Sequence, residues 1–301
     1  MNALYPIELS GFYKLCIRVL EEVRFPLRFF YRSKKMYNNF VHVFLLVYRE
    51  RLNVSYRRFV EIADENKLQR MLCIKRIPHY TTLQKFMQRI DKKLFEKMVR
   101  ACRKLLSLKE VTASIDGTGF SNTNPSHHYI KRVDGVKVKN YTKTLFLSDN
   151  KTKLILNIRT HSDHSSETLD FIPLVRELKK ILSCVLADKG YDSKANRRYC
   201  WDNGIEVHIP VREWKQHRQK YGLEPFLKSK HRKKAAKLFD KNKYNYRALI
   251  ESVNSAIKRT LGSYVCSRRA DNQQKQVTIK AIAYNLEQIG RTIKIWIFIN
   301  C

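Results

Sequence analysis

The order of strand and helix patterns from Glu110 onwards limits the fold more than any other feature of this sequence. Short apolar runs there have the length and composition of β-strands, and helical patterns separate the later ones. The runs are VTASIDGTGF, which we expect to end at Asp116 and Gly117, TKTLFLSDNKTKLILNIRT, which divides into two strands at 148–151, CVLADKGYD, which ends at Asp188, and IEVHIPV, which follows Gly204. The order strand–strand–strand–helix–strand–helix–strand–helix predicts an α/β fold, a mixed sheet with helices covering its faces.

The first 108 residues have helical patterns instead. An apolar helix is predicted over 37–52, a second after Ser55 as its N-cap, and more after Pro78, with Thr81 or Thr82 as cap. We therefore predict a smaller all-α domain over 1–108 and an α/β domain over 109–301. Short helices joined by tight turns suit either a helix-turn-helix DNA reader or an ordinary helical bundle, and the pattern leaves both open.

The charge balance predicts an anionic partner. The chain has 60 Lys and Arg against 27 Asp and Glu, a net charge of +33, and self-repulsion at that level costs stability. Nucleic acid is the first candidate and an acidic membrane surface the second. No apolar run reaches the ~18–20 residues that a membrane span needs, and the N-terminus lacks a signal-peptide pattern. We expect no membrane insertion.

Cysteine and histidine spacing gives little support for a zinc site. The chain has seven cysteines, none in a CxxC pair, which favours reduced thiols in a cytosol. A site formed by histidines and an aspartate is conceivable, but the spacing of these residues matches no common ligand pattern. The residues concerned are His127, His128, His161, Asp163 and His164.

A polar stripe marks the helical pattern YNYRALIESVNSAIKRTLGS (244–263). At about 100° per residue, Tyr244, Arg247, Glu251 and Lys258 fall on one narrow side of the helix, and the apolar residues fall opposite. Taken alone, such a stripe also suits a solvated face with an Arg247–Glu251 pair.

Three acids are placed to converge on one crevice. Asp116 and Asp188 lie at predicted strand ends, where side chains of neighbouring strands meet, and Glu251 lies on a helix whose apolar side should pack on the sheet. Each aspartate alone could be turn chemistry, and Asp192 is better explained as a helix N-cap. Together the three carboxylates suit Mg²⁺, with Mn²⁺ as substitute, and phosphodiester chemistry.

These residues resemble a known family. Tyr244, Arg247, Glu251 and Lys258 match the Tyr-x2-Arg-x3-Glu-x6-Lys signature of the DDE transposases of prokaryotic insertion sequences. IDGTGF and LADKGYDS resemble the two aspartate motifs of that family, and the resemblance covers about residues 110–290. It implies an RNase H-like catalytic domain, with Asp116, Asp188 and Glu251 as catalytic metal ligands and Tyr244, Arg247 and Lys258 beside DNA.

The resemblance also implies how such a protein works. It would nick the ends of its element and join the 3′-hydroxyls to target DNA, as a dimer or larger assembly on double-stranded DNA in the cytoplasm. The segment 211–243 would be a short insertion; it has twelve Lys and Arg against three acids, and we expect Arg212 and Trp214 to contact DNA. An RNase H-like nuclease without strand transfer and an inactive DNA-binding protein are the alternatives.

Overall fold

The computed structural model describes residues 7–29, 36–122, 141–162, 167–212 and 230–300, with side chains up to 293. The helices are α1 (Leu9–Glu22), α2 (Asn39–Leu52), α3 (Tyr56–Glu65), α4 (Leu68–Met71), α5 (Tyr80–Arg89), α6 (Lys92–Ala101), α7 (Glu167–Arg176), α8 (Lys194–Asp202), α9 (Lys230–Leu238), α10 (Lys241–Asn245), α11 (Leu249–Leu261) and α12 (Ala270–Asn300). The strands are β1 (Val111–Ser121), β2 (Tyr141–Asp149), β3 (Ile155–His161), β4 (Leu182–Ala187) and β5 (Glu206–His208).

The described strands form one mixed sheet in the order β3-β2-β1-β4-β5. The strands β1, β2 and β3 pair antiparallel, whereas β4 and β5 run parallel to β1. Apolar side chains of the three central strands are buried; α7 packs on β2 and β3, and α11 packs on β1. This arrangement confirms the predicted fold class, a mixed α/β sheet flanked by helices after a helical N-terminal region.

Two details of the strands differ from the sequence prediction. The strand β1 does not end at Asp116 and Gly117 but continues to Ser121, because its residues keep pairing with β2 as far as Tyr141. The turn between β2 and β3 lies at 150–154 instead of 148–151. It follows Asp149, whose side chain accepts a hydrogen bond from the Thr152 amide at 2.8 Å.

The N-terminal helices pack against the last helix of the chain. The helix α12 contacts α1, α2 and α6 as well as β3, and the buried apolar residues of both regions form one cluster. An ion pair of 2.6 Å between Arg51 Nε and Glu287 Oε1 joins α2 to α12. The hydrophobic core therefore continues across the boundary near residue 108, where the helical region ends and the strands begin.

Helix caps were predicted correctly at one site and wrongly at another. Ser55 caps α3, accepting a hydrogen bond from the Arg58 amide at 3.3 Å. Neither Thr81 nor Thr82 caps α5, whose N-cap position is occupied by His79. The reason is that the helix begins earlier, at Tyr80, directly after His79.

Every described cysteine is a free thiol, four of them buried and two exposed. In the part of the chain that the structure describes, no helix combines the length and apolar character required to cross a bilayer.

Candidate active site

Asp116 and Asp188 are neighbours across the sheet. In the parallel pairing of β1 and β4, Ile115 lies opposite Ala187, and each aspartate is the next residue of its chain segment. Parallel strands are about 4.8 Å apart, so the two carboxylates start from adjacent backbone positions. Asp188 follows β4 as predicted and caps a 3₁₀ turn, where its Oδ1 accepts a hydrogen bond from the Lys189 amide at 2.7 Å.

Asp116 has a largely buried carboxylate with partners on the helix α11 and the turn before it. Asn254 Nδ2 donates a hydrogen bond to its Oδ2 at 2.9 Å, and Arg247 Nη1 lies 4.0 Å from its Oδ1. The pKa of Asp116 is raised to about 6, chiefly by burial and also by nearby Glu167 and Glu251, whereas Arg247 opposes the shift. The chain thus holds this acid where its charge is costly without a cation.

Glu251 and Arg247 form an ion pair at the same place. Arg247 Nη2 lies 2.7 Å from Glu251 Oε1, and the Glu251 side chain is 58% exposed. Arg247 thereby joins Glu251 to Asp116, so that one guanidinium stands between two of the three predicted metal ligands.

Tyr244 and Lys258 complete the cluster on either side of this pair. Burial raises the pKa of Tyr244, with Asp188 and Glu251 adding to the shift and Arg247 opposing it. Burial lowers the pKa of Lys258, and the carboxylate of Asp116 counteracts that effect. Lys258 Nζ also lies 5.8 Å from the centre of the Phe120 ring, on the extension of β1 beyond Asp116.

The stripe that holds these residues is not one continuous helix. A 3₁₀ turn (Tyr246–Ala248) separates α10, which carries Tyr244, from α11, which carries Glu251 and Lys258. Asp240 starts α10 as its N-cap, so the segment before the turn has a helix beginning of its own. The four signature residues stay on the side that faces the aspartates despite this break.

Of the two residues of the basic segment 211–243 that we expect to contact DNA, the structure describes only Arg212. The backbone amide of Arg212 donates to Asp192 Oδ2 at 2.8 Å, and its Nη2 lies 3.3 Å from the Gly190 oxygen, next to the turn that follows Asp188. Trp214 lies outside the described residues. Asp192 is not the N-cap of α8; Ser193 is, because the buried Asp192 carboxylate pairs with Arg197 at 3.0 Å.

Sequence analysis missed two members of the site. Asn254 lies on the apolar side of α11, and a polar residue there is the signal that could have revealed it. Glu167 begins α7 and approaches the backbone of β1 so closely that a Cβ on Gly117 would lie 2.7 Å from its Oε1. Lys143 Nζ pairs with Glu167 Oε1 at 3.3 Å. No sequence pattern distinguishes Glu167 from other helix-starting acids.

The histidines singled out from the sequence do not form a metal site within the described residues. His161 Nε2 lies 2.8 Å from Asp170 Oδ2, and Arg159 shares that carboxylate. The other members of the conceivable His and Asp site lie outside the described residues.

A different group of potential metal ligands lies between β4 and β5. One ligand atom from each of Cys184, Glu206 and His208 falls within 4.8 Å of the others. The backbone amide of Asp240 donates to His208 Nδ1 at 3.0 Å, so in the neutral ring the proton is on Nε2, 2.9 Å from Glu206 Oε1. A metal bound to His208 Nε2 would displace the proton from that nitrogen, yet Nδ1 cannot take the proton while it accepts a hydrogen bond from the Asp240 amide. Cys184, Glu206 and His208 are therefore better explained as part of a hydrogen-bond network.

The comparison with protein families defines the class. The family model described as the transposase DDE domain matches residues 107–286, more than half of the chain. The chain belongs to this family of DDE transposase domains, which confirms the resemblance found in the sequence.

Comparisons with individual proteins add only distant likenesses. No curated protein matches the chain. A cryo-EM structure of the piggyBac transposase synaptic complex with hairpin DNA is 11% identical, with a TM-score of 0.48 over 93% of this chain and 75% of that one. A crystal structure of a pre-cleavage Mos1 transpososome is 11% identical, with a TM-score of 0.24 over 88% of this chain and 81% of that one. At these scores neither likeness bears on function.

Proposed function

We propose that the protein is a DNA transposase that nicks the ends of its element and joins the freed 3′-hydroxyls to target DNA. The observation that carries this proposal is that the signature residue Arg247 lies 4.0 Å from Asp116 and 2.7 Å from Glu251. The charges of Asp116 and Asp188 also act on the other two signature residues, Lys258 and Tyr244. The family match supports the same class of activity. Element ends and target supply double-stranded DNA as the partner, which suits a net charge of +33.

The donor set fits a hard divalent cation. Asp116, Asp188 and Glu251 would hold Mg²⁺, or Mn²⁺ in its place, because oxygen ligands suit both ions. The raised pKa of Asp116 supports this assignment, since a cation would relieve the cost of ionising a buried acid beside two other carboxylates. When bound, such ions activate the attacking oxygen and stabilise the leaving one in an in-line displacement at phosphorus.

The remaining residues bind and orient the DNA. Arg247 presents a planar guanidinium suited to a phosphate, and it can exchange its contact with Glu251 for one with the substrate. Lys258 adds a single positive charge held between Asp116 and the Phe120 ring. Since its pKa is raised, Tyr244 stays neutral at physiological pH and would donate a hydrogen bond to a phosphate oxygen. Arg212 would extend this surface past the turn after Asp188.

The test compares nicking and joining on labelled DNA with the element ends, in Mg²⁺ and in EDTA. We expect nicking at the ends and joining to a second DNA, both lost in EDTA and in Glu251→Gln. Asp202→Asn removes another exposed carboxylate from α8 and should change neither step. Cleavage without joining would favour the nuclease, and binding without cleavage would favour the inactive DNA-binding protein.

Joining two ends requires two active sites near each other, so we also propose a dimer or larger assembly on DNA. Light scattering of the protein with and without end DNA tests this part separately. Joining of two ends by a species that contains only one protomer would contradict it.

A further inference from the structure

A cleft lies between the N-terminal helices and the loop that follows α11. It has a volume of about 610 Å³ and is lined by the start of α3, by α5 and by the loop and first turn of α12. Four arginines line it: Arg49, Arg57, Arg268 and Arg269. Among the described residues that line the cleft, none is acidic.

Three of these arginines form no ion pair with an acid of the described residues. Arg57, Arg268 and Arg269 are exposed, and no carboxylate in the described part of the chain forms an ion pair with them. Arg57 instead contacts Tyr80, with its guanidinium 5.0 Å from the ring centre. The neighbouring acids are already occupied, since Glu61 pairs with Arg58 and Asp271 pairs with Lys275.

Arg49 and the start of α3 add buried and backbone donors to the cleft. The Arg49 side chain is only 3% exposed, and although Glu50 pairs with its guanidinium, its Nε has no hydrogen-bond partner among the described residues. Ser55, Tyr56 and Arg57 are the N-cap and first residues of α3, where backbone amides lack helical acceptors and the helix dipole favours an anion. Both features point to a negatively charged ligand.

The cleft is joined to the strand that carries Asp116. Ser121, at the end of β1, donates its amide to the Ser263 oxygen at 3.0 Å and accepts from the Val265 amide at 2.9 Å. The amides of Cys266 and Ser267 then donate to Gln276 Oε1 at 3.1 and 3.2 Å, which fixes the loop before Arg268. At ~3.3 Å per strand residue, Asp116 and Ser121 are roughly 17 Å apart.

We propose that this cleft binds phosphates of the DNA backbone a few nucleotides away from the bond that the active site cleaves. The inference rests on the proposed function, because only a DNA substrate would occupy both places together. Charge complementarity selects the ligand: several guanidiniums without acids suit successive phosphates. The cleft thereby makes the N-terminal helices and the catalytic region contact the same DNA.

The experiment measures the affinity of the full chain for an end-containing duplex at several salt concentrations in EDTA, where no cleavage occurs. If Arg268 and Arg269 each contact a phosphate, the double variant R268A/R269A should lower the steepness of log affinity against log salt by about 2. The charge-conserving R268K/R269K should restore most of that slope. The matched control K14A/R18A removes two exposed charges from α1, outside the cleft, and should keep the wild-type slope.

Two results would overturn the proposal that the cleft binds DNA phosphates. Equal slopes for R268A/R269A and K14A/R18A would show that net charge alone matters and would overturn the proposal. If inorganic phosphate raises the melting temperature of wild type but not of R268A/R269A, while DNA slopes stay equal, the cleft takes free phosphate and the DNA assignment is wrong. Because the affinity is measured in EDTA, where no cleavage occurs, a lowered slope in R268A/R269A together with no nicking by the wild type in Mg²⁺ would contradict the proposed function without affecting the cleft.

Discussion

At the scale of single residues, the site holds like charges together at a cost to the fold. Asp116 is partly buried near Glu167 and Glu251, and Arg247 offsets only part of the resulting rise in its pKa. A carboxylate in this position serves metal binding better than stability. The loss of folding stability caused by the ionised Asp116 carboxylate should therefore be measurable in protein without metal.

We predict that Asp116→Asn stabilises the metal-free protein at high pH. The pKa of Asp116 is about 6 in the folded chain against 3.8 ordinarily, so its contribution to stability is full below pH 3.8 and is lost as the pH rises through 6. The shift corresponds to at most about 3 kcal/mol, and we expect about 1–3 kcal/mol because the side chain is partly exposed. Thermal unfolding in EDTA should show the gain at pH 8 and none at pH 3.5. If the stability difference between Asp116→Asn and wild type were the same at pH 3.5 and at pH 8, the prediction would be contradicted.

We predict that Asn254→Ala shifts the pH dependence of nicking. The hydrogen bond from Asn254 favours the ionised form of Asp116, so its loss should raise that pKa by up to about one unit. Nicking should fall more at pH 6 than at pH 8, with a difference of up to about tenfold. Ser252→Ala, on the exposed side of the same helix, is the control. A loss that is the same at every pH would instead indicate a purely structural role.

At the scale of helices and strands, the sequence predicted the features that depend on the pattern of apolar residues within one segment. The order of strands and helices along the chain and the position of Asp188 at the end of β4 follow from hydrophobic periodicity and were predicted correctly. The extension of β1 beyond Gly117 was not, because it depends on pairing with β2 across the sheet. The 3₁₀ turn before α11 and the approach of Glu167 to Gly117 were missed for the same reason: both are set by packing between distant segments.

The short helix α10 shows how such packing fixes a site residue. It carries Tyr244, and contacts with β5 hold its start: the Asp240 amide donates to His208, and Lys243 Nζ pairs with Glu206 Oε2 at 2.8 Å. Burial raises the pKa of the neighbouring Cys184 thiol to about 12, so the thiol stays protonated there. These contacts explain the group without a metal.

We predict that His208→Phe destabilises the protein by about 1–3 kcal/mol, because the Asp240 amide loses its buried acceptor. His208→Gln keeps an acceptor and should lose less. Both variants and wild type should bind no stoichiometric zinc, measured with a colorimetric chelator after dialysis. Retention of one zinc per chain by wild type, lost in His208→Phe, would show that Cys184, Glu206 and His208 form a metal site after all.

At the scale of the whole molecule, one apolar core joins the predicted domains. Phe44 of α2 and Phe146 of β2 are both fully buried and belong to the same cluster. The helix α12 connects them, because it packs on α1, α2 and α6 on one side and on β2 and β3 on the other. If the chain unfolds as one cooperative unit, the cleft that we propose binds DNA and the candidate active site would keep a fixed separation.

We predict that the chain unfolds as one cooperative unit. Trp201 lies on α8 beside the sheet, so in a background with Trp214 and Trp296 replaced by Phe the fluorescence reports on the α/β region, whereas far-UV circular dichroism also reports on the N-terminal helices. Phe44→Ala should cost about 3–5 kcal/mol and lower the urea midpoint equally for both signals, because a core defect in α2 is transmitted through α12. Phe146→Ala is the matched change within the sheet. A fluorescence midpoint that does not move in Phe44→Ala would mean that the two regions unfold independently, as separate domains would.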